Sequence, residues 1–397
     1  MPVIRGGPNK APTTAGEVFS LIRDGIVTTR SELRDVTGLS RTAVAARVAA
    51  LTARGLVTEG RDGASTGGRP PIELRFNADA GVVLAVAIGR SRTQLAVTNL
   101  AGEIGAATDV DVDGGLGPDD LMPDLVKRLE VLLTESGHPA SAVLGIGLSI
   151  PGTVDPDRGC SLDSPVMSGW DGVELRPYFT ELSAAPFALD NDANVMALAE
   201  RHGNYRSADD LLLLKLSTGL GAGVIAGGVL QRGAVGAAGE FGHSKVVAAQ
   251  GLPCRCGDTG CLEALAGGWT LVRTLQQQGH QVGHIRDVVE LAVRGDAEAR
   301  RLIRESGRHI GEALALAVNL LNPAVVVVGG DMERAYDILV AGLRESLYGN
   351  ATALSTRSLQ VVPSSHGDRS ALQGSAMLIL DHILSADAVD AALSVRA

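Results

Sequence analysis

The sequence predicts an α/β protein with a small helical head, and three stretches predict it. Within residues 1–80, three short helical patterns run into a strand, a Gly-rich loop and a second strand. From Gly81 onward, apolar strands alternate with amphipathic helices, the pattern of sheet-and-helix layers. Between Gly236 and Glu263, His243, Cys254, Cys256 and Cys261 fall within nineteen residues, bracketed by Glu240 and Glu263. One imidazole and three thiols make the ligand set of a closed, four-coordinate structural zinc site. Gly257 and Gly260 supply the turn that folds Cys261 back, so the loop reads as zinc-stapled.

The totals are consistent with this reading. A chain of 397 residues with 45% apolar content holds two or three domains with substantial cores. Its most apolar stretches, 211–228 and 313–330, are interrupted by Lys215, Ser217, Asn319, Asn322 and Pro323, and read as buried strands and helices rather than membrane spans. The first residues carry no apolar run like that of a secretion signal. Four cysteines, with three given to metal, suit a reducing cytoplasm, and Cys160 has no evident partner. The net charge of −10 is uneven: residues 1–80 carry +3 and the remainder −13. Only the head is therefore suited to meet a polyanion.

In the head, Val18, Phe19, Leu21 and Ile22 mark a first helix. Thr29 or Ser31 caps a second, whose Leu33 and Val36 are expected to face inward. Gly38-Leu39 turns the chain, and Ser40 caps a third helix with Val44, Val48 and Leu51 on one face. Helix, tight Gly turn, helix is the helix-turn-helix arrangement, whose second helix enters the major groove of DNA. Ser40, Arg41, Thr42, Ala45 and Arg47 are the groups placed to reach bases or phosphates. The following strand–loop–strand reads as a wing, with Arg69 at its Gly/Pro-rich tip suited to a minor groove.

In the body, two strands precede a helix over 118–136 and a buried strand that ends in Pro151-Gly152. A further strand, 186–190, leads into "NDANVMALAERHG", which sets Asn191 and Asp192 at a strand's carboxyl end, the ligand-binding edge of open α/β sheets. "LSTGLGAGVI" has the composition of a phosphate-cradling turn, a weak signal by itself. Trp170 suits a pocket wall and a core position equally.

Residues 81–397 resemble the ROK family of sugar kinases and sugar-responsive regulators. The resemblance is carried by "PGTVD", "LDNDANVMALAE", "STGLGAGVI", "GEFGH", "CRCGDTGCLE" and "VVVGGD", in the family's order and spacing. It implies a two-lobed, actin-like (ribonuclease H-like) fold. The N-terminal lobe would span 81–195, with a C-terminal helix over 370–397 packing back on it, and the C-terminal lobe 196–369. By the same resemblance, Asn191, Asp192, Glu240, His243 and Glu263 face a sugar, and His243 with the three cysteines holds zinc. Asp192 then stands where the kinases keep their catalytic base. A winged helix-turn-helix in front resembles the family's transcriptional branch.

One motif departs from the kinases. Their first strand ends in Asp-x-Gly-Gly-Thr, where the aspartate positions magnesium. Here the stretch reads Ala87-Ile-Gly-Arg90-Ser-Arg92. Phosphoryl transfer depends on positioning and on charge neutralisation by metal, so loss of that acid predicts a chain without kinase activity. The expectation is a cytoplasmic, zinc-containing regulator, a repressor, that binds an operator in double-stranded DNA as a dimer or tetramer and senses a small sugar. The alternatives are an active sugar kinase bearing a DNA-binding head, and a constitutive DNA-binding protein with a ligand-blind body.

Overall fold

The computed structural model describes residues 13–60, 72–112, 115–162, 167 and 169–394. The head consists of α1 (Ala15–Arg23), α2 (Arg30–Thr37), α3 (Arg41–Ala53) and an antiparallel ribbon of β1 (Val57–Gly60) and β2 (Glu73–Phe76). Thr14 and Thr29 close capping boxes with Glu17 and Glu32, and Ser40 accepts from the Ala43 N–H. Gly38, in the left-handed region at φ 70°, lets the chain turn between α2 and α3. Phe19, Leu33, Val44, Val48 and Leu51 are buried together, and Phe19 meets Phe76 edge-on with ring centroids 5.7 Å apart. Val36 differs from expectation: it is exposed, and Thr37 takes the inward place and donates to the Leu33 carbonyl. On so short a helix the i+4 position packs and the i+3 position misses.

The body holds two mixed five-stranded sheets. The first contains β3 (Val82–Ile88), β4 (Arg92–Asn99), β5 (Ile104–Asp111), α4 (Pro118–Glu135) on its flank, and β6 (Val143–Ile150). A two-strand ribbon, β7 (Val154–Asp155) and β8 (Cys160–Ser161), precedes β9 (Phe187–Asn191), and the sheet order is β5-β4-β3-β6-β9. Then α5 (Asp192–His202) leads to β10 (Leu211–Leu216), β11 (Leu220–Ala226) and β12 (Val229–Gln231). Helices α6 (Leu262–Ala266), α7 (Gly268–Gln277), α8 (Ile285–Val293) and α9 (Ala297–Leu321) precede β13 (Val325–Gly329). After α10 (Tyr336–Asn350), α11 (Ala353–Thr356) and β14 (Gln360–Pro363), the second sheet is complete in the order β12-β11-β10-β13-β14.

The chain ends in two helices rather than the single helix expected over 370–397: α12 (Ser370–Ile383) and α13 (Ala386–Ser394). The first returns to the N-terminal sheet, where Gly147 on β6 admits the Ser375 backbone, and it packs on α5, where Gly374 admits the Val195 backbone; a Cβ at either glycine would block the approach. The second leaves the body and docks on the head. Asp390 Oδ1 accepts from the Gly16 N–H at 2.8 Å, and Arg23 Nη1 donates to the Leu384 carbonyl at 3.1 Å. Arg54 reaches the Ala392 carbonyl, so α1 and α3 both hold the C-terminal segment. No helix among the described residues is long and apolar enough to cross a membrane.

Candidate functional site: a polar cleft beside a metal-binding loop

Parallel strands β3, β6 and β9 end at one edge of their sheet, as β10 and β13 do in theirs. Between these edges lies a cavity of about 390 Å³ that reaches Ala87, Asn191, Asp192, Glu240, His243 and Glu263. Asn191 and Asp192 stand at its rim because β9 passes directly into α5. Asn191 is the N-cap of α5: its Oδ1 accepts from Ala193 N–H at 2.8 Å, and its Nδ2 donates to the Gly152 carbonyl at 2.8 Å. One amide proton is left for a ligand. Asp192 is paired with the Lys215 ammonium from β10.

Two charged neighbours of this rim escaped the sequence reading. Asp190, 1% exposed, accepts from Asn191 N–H and Asn194 Nδ2 and pairs with Arg232 Nε at 2.7 Å. Lys215 was visible only as a break in the run "LLLLKL". A lone charge in a buried strand is a signal for a paired group inside a site.

His243, Cys254, Cys256 and Cys261 are brought together, with their ligand atoms all within 4.8 Å of one another. Cys254 Sγ lies 3.7 Å from His243 Nδ1, and Cys256 Sγ lies 3.7 Å from Cys261 Sγ. A tetrahedron with sulfur 2.3 Å from the metal has sulfur–sulfur edges of about 3.8 Å, so these two edges match a zinc site and the four residues could hold such an ion. Lys245 Nζ lies 3.3 Å from Cys261 Sγ and is shared with Asp258 Oδ2 at 2.6 Å, so a lysine–aspartate pair borders the cluster. Burial pushes the Cys254 thiol up to about 12 and raises that of Cys261, so metal binding must displace protons and weakens as pH falls. With Nδ1 turned to the Cys254 sulfur, His243 Nε2 faces Glu240 Oε2 at 3.8 Å. Glu240 is exposed to the cleft and accepts from Thr153 Oγ1 at 3.0 Å.

Glu263 ties the metal loop to the Gly-rich turn between β10 and β11. Its Oε2 accepts from the Leu220 N–H at 2.9 Å and its Oε1 from Trp269 Nε1 at 3.2 Å. A side chain at Gly219 would collide with Oε2, so glycine is required there. Both oxygens of this 5%-exposed acid are thus already engaged by protein donors. The turn is further pinned where Ser217 Oγ donates to Asp331 Oδ2 and accepts from the Asp331 N–H, each at 2.9 Å.

The other end of the cleft is basic. Arg90 and Ser91 lie on the β3–β4 turn. His284, N-cap of α8, accepts the Arg286 N–H at Nδ1, so the neutral ring carries its proton on Nε2. From there it meets Ser91 Oγ at 3.1 Å and Thr218 Oγ1 at 3.2 Å, joining the two sheets. Burial holds the His284 pKa below the usual histidine value, against the pull of Asp331, which keeps the ring neutral. Arg255, between Cys254 and Cys256, stacks on Trp269 with its guanidinium carbon 4.9 Å from the ring centroid. Burial and then the Arg90 charge depress its pKa, while Glu263 opposes them.

Glu333 also lines the cleft, and burial, reinforced by Glu200 and Asp368, pushes its pKa up to about 7. A carboxyl whose folded pKa is raised destabilises the fold progressively as pH rises from about 4.5 to 7. Glu333→Gln is therefore expected to raise the melting temperature above pH 7 and to leave it unchanged below pH 4.5. Melting curves across pH check this, and a gain at pH 4 equal to that at pH 8 would overturn it.

On the head, Ser40, Arg41 and Thr42 are exposed at the N-terminal end of α3, and Ala45 is half-buried. Arg47 is half-buried and turned back, donating to the Thr13 and Ala43 carbonyls. Arg69 lies outside the described residues. Trp170 is a core residue: it is 1% exposed, and its Nε1 donates to the Leu116 carbonyl.

The chain is similar to proteins that share both parts. The xylose repressor of Bacillus subtilis (strain 168) is 27% identical over 356 residues, 89% of this chain and 91% of the repressor. The crystal structure of a ROK family transcriptional regulator, a homologue of the E. coli MLC protein, superposes with a TM-score of 0.79 at 26% identity, over 96% of this chain and 98% of that one. A ROK family glucokinase from Streptomyces griseus, solved with glucose and AMPPNP, matches with a TM-score of 0.65 at 28% identity. It covers 75% of this chain and 99% of its own. The model of the ROK family matches residues 83–382. The chain belongs to the ROK family.

Proposed function

We propose that this protein is a sugar-responsive, DNA-binding transcriptional regulator, a repressor, whose kinase-like body senses the sugar without phosphorylating it. The carrying observation is mechanical. Helix α12 begins at the cleft, where Ser370 lines the cavity, and the segment it leads into is gripped by α1 and α3 of the head. A change in how the lobes close is thus delivered to the helices that would lie on DNA. Such a shift requires the ligand to bind the two closure states with different affinity.

Asn191, Asp192, Glu240 and His243 are the groups that would grip sugar hydroxyls, with Glu263 holding the loop and turn in register. Zinc on His243, Cys254, Cys256 and Cys261 would fix that wall. Ser40, Arg41 and Thr42 would reach an operator in double-stranded DNA, with the heads of a dimer or tetramer on paired half-sites. Localisation in the cytoplasm follows from that role.

Against catalysis stand Ala87, at the position of the metal-orienting acid, and Lys215, which occupies the carboxylate at the base position. The xylose repressor's similarity across both parts supports the regulatory reading. Thermal melts against common monosaccharides and amino sugars, with and without Mg-ATP, test it. A specific sugar at 100 times its Kd should add about 2.7 kcal/mol of stability whether or not Mg-ATP is present. Sugar-dependent ATP turnover would replace this reading with a sugar kinase bearing a DNA-binding head.

A further inference from the structure

Helices α5 and α12 pack on one another, Gly374 against the Val195 backbone, yet each is fastened to a different sheet. Helix α5 goes with the second sheet, where Gly223 on β11 admits the Ala193 backbone. Glu200, fully buried near the end of α5, accepts from Ser364 Oγ at 2.6 Å and from the Ser365 N–H at 2.9 Å, just beyond β14. The connection after α5 stays with that sheet: the Asp209 carbonyl accepts from the Gly228 N–H, and the Asp210 carbonyl from the Ala324 N–H. Helix α12 goes with the first sheet. Ser375 Oγ donates to Ser149 Oγ on β6 at 3.0 Å, and Gln373 Nε2 to the Gly102 carbonyl, between β4 and β5, at 2.8 Å. His202 Nε2 and Asp381 Oδ2 meet at 2.9 Å across the seam between the two helices.

The head holds both sides of this seam through two consecutive residues. On the first-sheet side, Arg23 Nη1 donates to the carbonyl of Leu384, the C-cap of α12, at 3.1 Å. On the second-sheet side, Asp24 Oδ1 pairs at 3.3 Å with Arg206 Nη2, from the connection between α5 and β10, while Arg23 Nε lies 3.1 Å from the same oxygen. Asp24 is the C-cap of α1, where the helix dipole favours a cation, so an acid there opposes α1 rather than stabilising it. Arg206 has a side chain 66% exposed, and its backbone carbonyl is held by Arg201 of α5. Neither residue serves its own element through this pair; what the pair joins is the head to the second sheet.

That second hold changes what the head can record. Gripped by the C-terminal segment alone, the head would ride as a passenger on the first sheet, and rotation of the second sheet would leave it unmoved. With Arg206 attached to Asp24, rotation of one sheet against the other must move α1 or break the bond. A surface ion pair is weak, so a modest change in the body is enough to make or break it.

Resting on the reading of the body as a closing sensor, we infer that Arg206 is a positioning residue for the head. With Asp24 it forms a second anchor, so that α1 spans the seam between α5 and α12 and the orientation of the head follows the angle between the two sheets.

Hydrogen exchange on the full-length protein without ligand reads the anchor first. In Arg206→Gln the amides that close the end of α1, those of Asp24, Gly25 and Ile26, are expected to exchange about two- to fivefold faster, the range open to a surface ion pair. Arg206→Lys, which keeps the charge, should stay near the wild type. Unchanged exchange in Arg206→Gln would overturn the anchor, whatever ligand the body takes.

The second measurement is fluorescence anisotropy on a duplex that the full-length protein selects from random sequence, with glucose, xylose or N-acetylglucosamine present or absent. Whichever sugar shifts the wild-type affinity should shift that of Arg206→Gln by a factor about two- to fivefold smaller, with sugar affinity by calorimetry unchanged. Asp24→Asn should behave alike, and the double variant should lose no more than either single one, because both remove one bond. A full response in the single variants, or losses that add, would leave the head riding on α13 alone and overturn the inference with the sensor reading intact. No response to any sugar in the wild type would count against the sensor reading and remove the angle-reading role with it, while the exchange result still decides the anchor.

Discussion

Cys261→Ser is expected to abolish the response to ligand while leaving the two sheets folded. Cys261 is fully buried and N-caps α6, and the next residue but one, Glu263, holds both the Gly-rich turn and Trp269. Without its fourth ligand the cluster loses most of its metal affinity, because a hydroxyl does not replace a thiolate on zinc. The wall carrying His243, Arg255 and Glu240 then loses its fixed geometry, and a loosely held hydroxyl-binding site no longer discriminates among sugars. We expect no ligand-induced thermal shift in the variant and a melting temperature lower by roughly 5–10 °C, as befits loss of a few kcal/mol of local structure. Metal content by mass spectrometry and thermal melts with ligand are the measurements. A zinc-free variant that keeps the full ligand shift would show that the metal has no part in sensing. Stripping the wild type with a strong chelator should reproduce the variant, and re-adding zinc should reverse it.

Gly16→Val should separate sensing from DNA binding. Gly16 lies in the first turn of α1, where a Cβ would run into the Ala386 backbone of α13. Gly16 is buried against α13 rather than in the head's own core, and valine is tolerated in a helix at a small cost, so the head should still fold around Phe19, Leu33 and Val48 while the head–α13 seam cannot close. The ligand-induced change in operator affinity should fall from the wild-type factor to about one-fold, with ligand binding to the body intact. Limited proteolysis should release the head faster than in the wild type. Fluorescence anisotropy on operator DNA with and without ligand measures the coupling. Coupling equal to wild type in a variant whose head is demonstrably undocked would exclude α13 as the route. Asp390→Asn, which keeps the shape and weakens the hydrogen bond to the Gly16 N–H, is expected to give a partial loss in the same direction.

Much of the fold was legible in the chain because its signals are local. Capping residues at Thr29 and Ser40, the Gly38 turn and the apolar periodicity of α3 need no tertiary information to be read. The clustering of His243 with three cysteines was legible because zinc requires particular atoms and the loop supplies them within nineteen residues. Asn191 and Asp192 were placed at a strand–helix junction by the change in period from two to 3.6.

What stayed hidden depends on partners far apart in sequence. Nothing near Lys215 announces that its ammonium meets Asp192, nor that Asp190 meets Arg232, forty-two residues away. Arg47 has the sequence position of a groove-facing residue, yet the carbonyls of Thr13 and Ala43 hold it back. Trp170 was balanced between pocket and core until the Leu116 carbonyl was seen to take its indole proton.

The sequence by itself determined most element types, the head and the His/Cys cluster, since each follows from residue chemistry at short range. Only the tertiary structure decided that the chain's last helix belongs to the head, that Asp24 meets Arg206, and that Glu263 is a fastening as well as a cleft residue. Such juxtapositions arise from the packing of two sheets and a returning helix, and burial and charge select among them only when the distant surfaces meet.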